Sequence, residues 1–380
     1  MKKGGKGAKN RLALGAAIGI VILNGSILLA KAQIPPLPKK TLPDSQPITP
    51  PKEETSPQIE SFPSPEQWRL ARLVRTLKGQ QSTPESLIFT PDGQHLITGG
   101  SFTDPQLRVW SFKSGQKLSD IKAQRTGVQA LAINPSGTIL ISGGQDGGIN
   151  MWDWRSGKYL GIWLEHQGQV MALRVTPDGE ILVSGGLDGI RIWTLNPRRP
   201  LYRLTGLGHP VYALAISPDG VILASGSLDG EVKFWNIKEG KLLSTFYPHQ
   251  ATITGLVFTP DGKKLITSSQ DKTIKVWDLA TGQLIYTLAG HTGRIRAIAL
   301  NPDGKILASG GNDGIRIWNI ETGEQYNQII ENYDWVQSLA FSPDGQFLAS
   351  GSFDFQVKIW QCFPTPILQG PSRVDQLFNQ

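Results

Sequence analysis

Four histidines recur along the chain at close to one interval, His166, His209, His249 and His291. Imidazoles in a series are the residue type that binds transition metals or relays protons. The interval argues against a shared metal, because residues about 42 apart fall in different copies of a repeat unit rather than around one ion. The single cysteine, Cys362, leaves no partner for an internal disulfide and no thiolate set for zinc. No Gly-rich phosphate loop ending in Lys-Ser/Thr, no His-Glu-x-x-His and no Gly-x-Ser-x-Gly is present. The many Asp-Gly pairs lack the alternating acidic ligands of a calcium loop and read as hairpin turns. The sequence therefore offers no catalytic residue, no metal site and no cofactor.

The elements that carry these residues are short and regular. Pro-Asp-Gly recurs at Pro91, Pro177, Pro218, Pro260, Pro302 and Pro343, with Pro135-Ser136-Gly137 as a seventh copy, at spacings of 41 to 44 residues. A tryptophan keeps the same phase at Trp110, Trp152, Trp193, Trp235, Trp277, Trp318 and Trp360. Between Pro210 and Lys241 the pattern reads as an alternating strand over Val211–Ser217, a turn and a second strand over Val221–Ser225. After a tight turn at Leu228-Asp229-Gly230 comes a third strand over Glu231–Trp235, and a fourth starts at Lys241. Four strands in about 42 residues, seven times over, predict an all-β radial array of seven blades. Leu73–Leu77 precedes the first unit and blade seven lacks a fourth strand, so these residues are expected to complete it and close the ring. Closure removes the exposed strand edges that a linear array would leave.

These motifs resemble those of the WD40-repeat family over residues 73–361. Trp152-Asp153 and Trp277-Asp278 carry the dipeptide itself, and Leu223–Ser227 reads Leu-Ala-Ser-Gly-Ser, as does Leu348–Ser352. The resemblance implies a seven-bladed WD40 β-propeller of bacterial type. It also implies a structural role for the histidines, a hydrogen-bonded set within each blade. The sets would be His166, Ser184, Asp188 and Trp193 in blade three, and His209, Ser225, Asp229 and Trp235 in blade four. Blade five would use His249, Thr267, Asp271 and Trp277, and blade six His291, Ser309, Asp313 and Trp318. Gln80, Gln124 and Asn332 stand at the histidine position in blades one, two and seven, which predicts a looser sector there. His95 falls outside the pattern, on an expected solvent-facing site. The phased tryptophans are expected in the core, each burying roughly 150–250 Å².

In WD40 proteins the informative face carries the residues flanking the first hydrophobic of strand one and the residue before the tight-turn Asp. Here those slots hold Gln169, Met171 and Leu187 in blade three and Pro210, Tyr212 and Leu228 in blade four. They hold Thr252, Thr254 and Gln270 in blade five, Arg294, Arg296 and Asn312 in blade six, and Trp335, Gln337 and Phe353 in blade seven. Two apolar clusters follow, Met171/Leu187/Tyr212/Leu228 and Trp335/Phe353, with a basic step at Arg294 and Arg296 beside the second. Aromatic, Met and Arg side chains are what protein-binding hot spots favour. The expected function is a non-enzymatic scaffold that holds a protein or peptide partner, with an acidic flank facing the arginines. A propeller enzyme with its site at the channel mouth is the alternative, and Glu85 is the one acid the slots offer it. A third reading is a bulky structural head in a larger envelope assembly.

Ahead of the repeats, Lys2, Lys3, Lys6, Lys9 and Arg11 precede an apolar run from Leu12 to Ala30 with no charge. As a helix this run would span about 28 Å, close to a bilayer core. It reads either as a signal peptide cleaved after Ala30-Lys31-Ala32 or as a single-pass signal anchor, within a segment 1–32. Both readings leave the N-terminus cytoplasmic and the propeller extracytoplasmic, whether membrane-anchored or secreted and periplasmic. Residues 33–66 contain ten prolines and are expected to form a disordered linker, followed by the propeller over 67–361 and a tail over 362–380. The net charge of +7 sits mostly in residues 1–65, which hold nine Lys/Arg against four Asp/Glu, leaving only +2 on the rest. That is too little for a nucleic-acid footprint.

Overall fold

The computed structural model describes residues 62–329 and 335–363. The apolar run 12–30, the Pro-rich segment up to 61, Asn332 and the tail from 364 lie outside the described residues. Among the described residues no helix is long and apolar enough to cross a membrane.

Among the described residues twenty-eight strands form seven four-stranded antiparallel sheets, the blades of a propeller. Blade four shows the plan with Val211–Ile216, Ile222–Ser227, Val232–Asn236 and Lys241–Phe246. Its first turn is Pro218-Asp219-Gly220, where Gly220 takes φ +72°, a conformation that glycine alone adopts without strain. These turns also form a ring on one face. A Cβ built on Gly137, Gly179 or Gly304 would lie 3.2, 3.2 or 2.6 Å from the proline of the preceding blade's turn. Glycine is thus required twice over, for the positive φ and for the blade-to-blade approach.

The first strands of neighbouring blades lie side by side around a central channel. In every blade the pairing of the first strand with the second breaks at the same place. In blade four it breaks between Val211 and Ala213, and in blade six between Ile295 and Ala297. A bulge of this kind re-aims the extra side chain. It turns Glu85, Gln129, Met171, Tyr212, Thr254, Arg296 and Gln337, one from each blade, toward the channel.

The ring closes as expected. Arg72–Leu77 pairs antiparallel with Val357–Gln361 as the outer strand of blade seven. On the channel side, Ser338 Oγ donates to the Pro84 carbonyl at 2.7 Å, joining blade seven to blade one. Seven apolar clusters fill the seams between blades. Trp277, for example, packs with Phe234, Phe246 and Val232 of blade four. All seven phased tryptophans are buried.

The end of the predicted linker is part of this fold. Pro65–Leu70 forms a 3-10 helix, and Trp68 is fully buried between blades six and seven, edge-on to Phe341 at 5.1 Å. Glu66 accepts from the Tyr326 hydroxyl, and Arg69 pairs with Glu324. Phe62 and Pro63 lie against Gly345, beside Pro302, on the face of the Pro-Asp-Gly turns. The Phe363 N–H reaches the Gln67 carbonyl. Both ends of the described ring therefore meet on that face, opposite the one that carries the Asp turns and the interblade loops.

Candidate functional site

The polar core of blade three is a continuous chain of bonds. Trp193 Nε1 donates to Ser184 Oγ at 2.8 Å, and Ser184 lies 2.7 Å from His166 Nε2. His166 Nδ1 is 2.5 Å from Asp188, which also accepts from the Gln167 N–H. Blade six repeats this with Trp318, Ser309, His291 and Asp313, and blade five with Trp277, Thr267, His249 and Asp271. Burial pulls the His166 and His291 pKa values down, against the pull of their aspartates. A neutral imidazole fits the geometry, donating from Nδ1 to carboxylate and accepting at Nε2 from hydroxyl. Burial opposes ionisation of Asp313, but the bonds from His291 and the Thr292 N–H outweigh it and hold the carboxyl at about 2.

Blade four departs from the expectation. His209 is not in its polar core. Its side chain is 49 % exposed, and it reaches only Asp229, at 3.4 Å. Ser225 still accepts from Trp235 Nε1 at 2.9 Å, and its own hydroxyl lies near the Lys233 carbonyl instead. The cause is spacing. His166, His249 and His291 stand four residues before the first buried residue of their strand, whereas His209 stands two before Val211. The fourth position back is Leu207, which packs in the seam of blades three and four. The signal was present in the sequence as this shorter offset.

The sector predicted to be looser carries its bonds through glutamine. Gln80 donates to Thr98 and accepts from Arg108, and Gln124 donates to Ser142 and accepts from Asn150. His95 is not simply solvent-facing but half-buried, edge-on to Trp154 at 5.0 Å.

On the Asp-turn face, backbone bonds tie the slot residues together within blades. The Leu187 N–H donates to Gln169, Leu228 to Pro210, Asn312 to Arg294 and Phe353 to Trp335. Trp335 and Phe353 are 43 % and 41 % exposed, with ring centroids 5.4 Å apart. The Arg296 guanidinium lies 5.0 Å from the Trp335 ring and 5.8 Å from that of Phe353. Arg294 beside it is exposed. The other predicted cluster divides. Met171 and Tyr212 line the channel cavity of about 190 Å³ together with Arg296 and Glu85. Leu187 instead borders a separate cleft of about 350 Å³ with His209 and Pro210. Leu228 is exposed on the Asp turn of blade four.

Three side chains escaped the sequence reading. Phe102 is 65 % exposed in the longer turn of blade one, whose 44-residue spacing to the next repeat was the available signal. Phe355, half exposed, holds φ +60° where most blades place glycine. Arg174 lines the channel, and nothing in the repeat pattern marks it.

Glu85 is the only carboxylate among the described residues that line the channel cavity. Burial pushes it up, offset in part by a bond to Gln337 and the charge of Arg296. Among those same residues no histidine or second acid stands ready to act with it in general acid–base catalysis. Among the described residues no group of acidic, His or Cys side chains could hold a metal.

The family model described as nucleolar protein 10-like, N-terminal domain, matches residues 81–310, more than half of the chain. The WD domain, G-beta repeat, matches residues 324–361. No curated protein matches the chain. WD40 propellers are typically protein-interaction scaffolds. The chain belongs to the nucleolar protein 10-like N-terminal β-propeller family, as a seven-bladed propeller of WD40 repeats.

Proposed function

We propose that this propeller is a non-enzymatic scaffold that holds a protein or peptide partner on the Asp-turn face, with an acidic segment of the partner against Arg294 and Arg296. The observation that carries this is the Arg296 guanidinium held over the exposed rings of Trp335 and Phe353. Solvent-exposed aromatic pairs with an arginine between them are hot-spot chemistry. Position supports it, because both ends of the described ring meet on the opposite face.

The basic start and apolar run of residues 2–30 support an extracytoplasmic propeller, behind a signal peptide or a single-pass anchor, and the repeated Ser-Pro-Asp-Gly turns support the bacterial type. The family's name refers to a nucleolar protein. A net charge of +2 over residues 66–380 gives no electrostatic support for a nucleic-acid role in this chain.

Selection from a random peptide display library tests the binding. Wild type should enrich sequences with Asp or Glu beside an apolar anchor, and Trp335→Ala/Phe353→Ala should lose them. Equal enrichment by both proteins refutes the reading. Mass spectrometry of the mature N-terminal peptide decides cleavage, and protease accessibility in intact cells decides the side.

A further inference from the structure

The channel holds a charge that no described residue balances. Three charged side chains line it, Glu85, Arg174 and Arg296. Glu85 and Arg296 act on each other across the mouth. Arg174 lines the same cavity and its side chain is exposed. Its Nη1 donates to the Leu173 carbonyl at 2.8 Å, the one bond it makes among the described residues. A guanidinium has five N–H donors, so most of its capacity faces the lumen, to which the side chain is open. The enclosing channel wall lowers its proton affinity although the side chain itself is exposed to the lumen, and no carboxylate among the described residues offsets this. The arginines that are buried, by contrast, are answered within the fold. Arg108 pairs with Asp104, Arg191 with Asp188 and Arg316 with Asp313.

A cation inside a narrow protein lumen raises the local concentration of anions. The planar fork of arginine matches two oxygens of one carboxylate or phosphate. A volume of about 190 Å³ has room for an ion of that size. We infer that the propeller channel is an oxyanion site, with Arg174 as its ligand, taking either a free phosphate-like ion or a carboxylate offered by an acidic side chain entering at the mouth. The site stands whether or not the Trp335–Phe353 face binds a partner.

The arginine Nε–H resonances of the labelled full chain test this, with the Arg174 signal assigned by its absence in Arg174→Gln. Inorganic phosphate and acetate are titrated separately at constant ionic strength against chloride. A saturable shift of the Arg174 signal with either probe is expected, and Arg174→Lys should weaken binding at least tenfold, as read by phosphorus relaxation or acetate proton line width. Saturation by phosphate points to a free ion, and saturation by acetate alone points to a carboxylate side chain. A signal that follows only ionic strength, or binding unchanged in Arg174→Lys, overturns the assignment. The Arg174 resonance is missing from Arg174→Lys as well, so a folding defect in Arg174→Gln leaves both the assignment and the comparison intact.

Discussion

Blades six and four share a strand plan and much of their sequence, Leu-Ala-Ser-Gly followed by an Asp-Gly turn, yet their polar cores differ. In blade six His291 joins Ser309 to Asp313, and Arg316 adds an ionic contact to the carboxylate. In blade four the imidazole stands outside, Leu207 fills the seam, and Asp229 turns to Ser227 and the Glu231 N–H. The indole-to-hydroxyl bond survives in both. The tryptophan and hydroxyl are therefore enough to set the blade. The histidine adds a tie between the interblade loop and the Asp turn, and where it is missing apolar packing takes over that seam. Buried polar groups are satisfied either way.

The largest difference should come from removing the aspartates. Asp313→Ala leaves Arg316 and His291 without their partner and should cost about 3–5 kcal/mol, the range for breaking a buried pair. Asp229→Ala should cost about 1 kcal/mol, as loss of a turn hydrogen bond. Urea denaturation at neutral pH measures both, and equal losses would erase the distinction between the blades.

Acid should act on the same contrast. The His166 and His291 pKa values are lowered in the fold, so below about 6.5 the unfolded chain takes up protons that the folded chain does not. Stability is whole above that value and is lost as pH falls, by up to about 1.4 kcal/mol per pH unit for each histidine. Asp313 is depressed to about 2, so its contribution is retained until pH falls below the usual carboxylate range. Replacing His166 and His291 together by Gln should flatten the slope between pH 6.5 and 5.

A smaller effect is expected from His291→Gln alone. Glutamine holds this place in blades one and two and still reaches the hydroxyl there, so the cost should be about 1–2 kcal/mol, that of the lost bond to Asp313. His209→Ala, on an exposed side chain, should change stability by less than about 0.5 kcal/mol. A loss above 2 kcal/mol would show that His209 reaches the blade-four core in solution.

Much of this architecture could be read from residue order. Pro-Asp-Gly and Leu-Asp-Gly specify hairpin turns through local backbone chemistry, and the alternation between them specifies strands. A tryptophan every 41 or 42 residues, with an orphan strand at Leu73–Leu77, was enough to predict seven blades and their closure. Trp335, Phe353 and Arg296, adjacent in slot order, do meet in space. Leu187 and Met171, also adjacent in slot order, border different cavities, because blade order carries no side-chain direction.

What the chain determined by itself is therefore periodic and local: strands, turns, blade count and the phase of the buried tryptophans. What only the tertiary structure decided is set by distances around the ring. Trp68 closes the seam of blades six and seven because Arg72–Leu77, bound to the last strand, brings the residues before it there. Arg174 stays unbalanced because the nearest described acid in the channel is already held by Gln337 and Arg296. Blade four does without its histidine because Leu207, not His209, falls where the loop turns inward. Each outcome depends on which side chains meet across a closed ring, and a repeat pattern records the spacing within a blade but not the partners between blades.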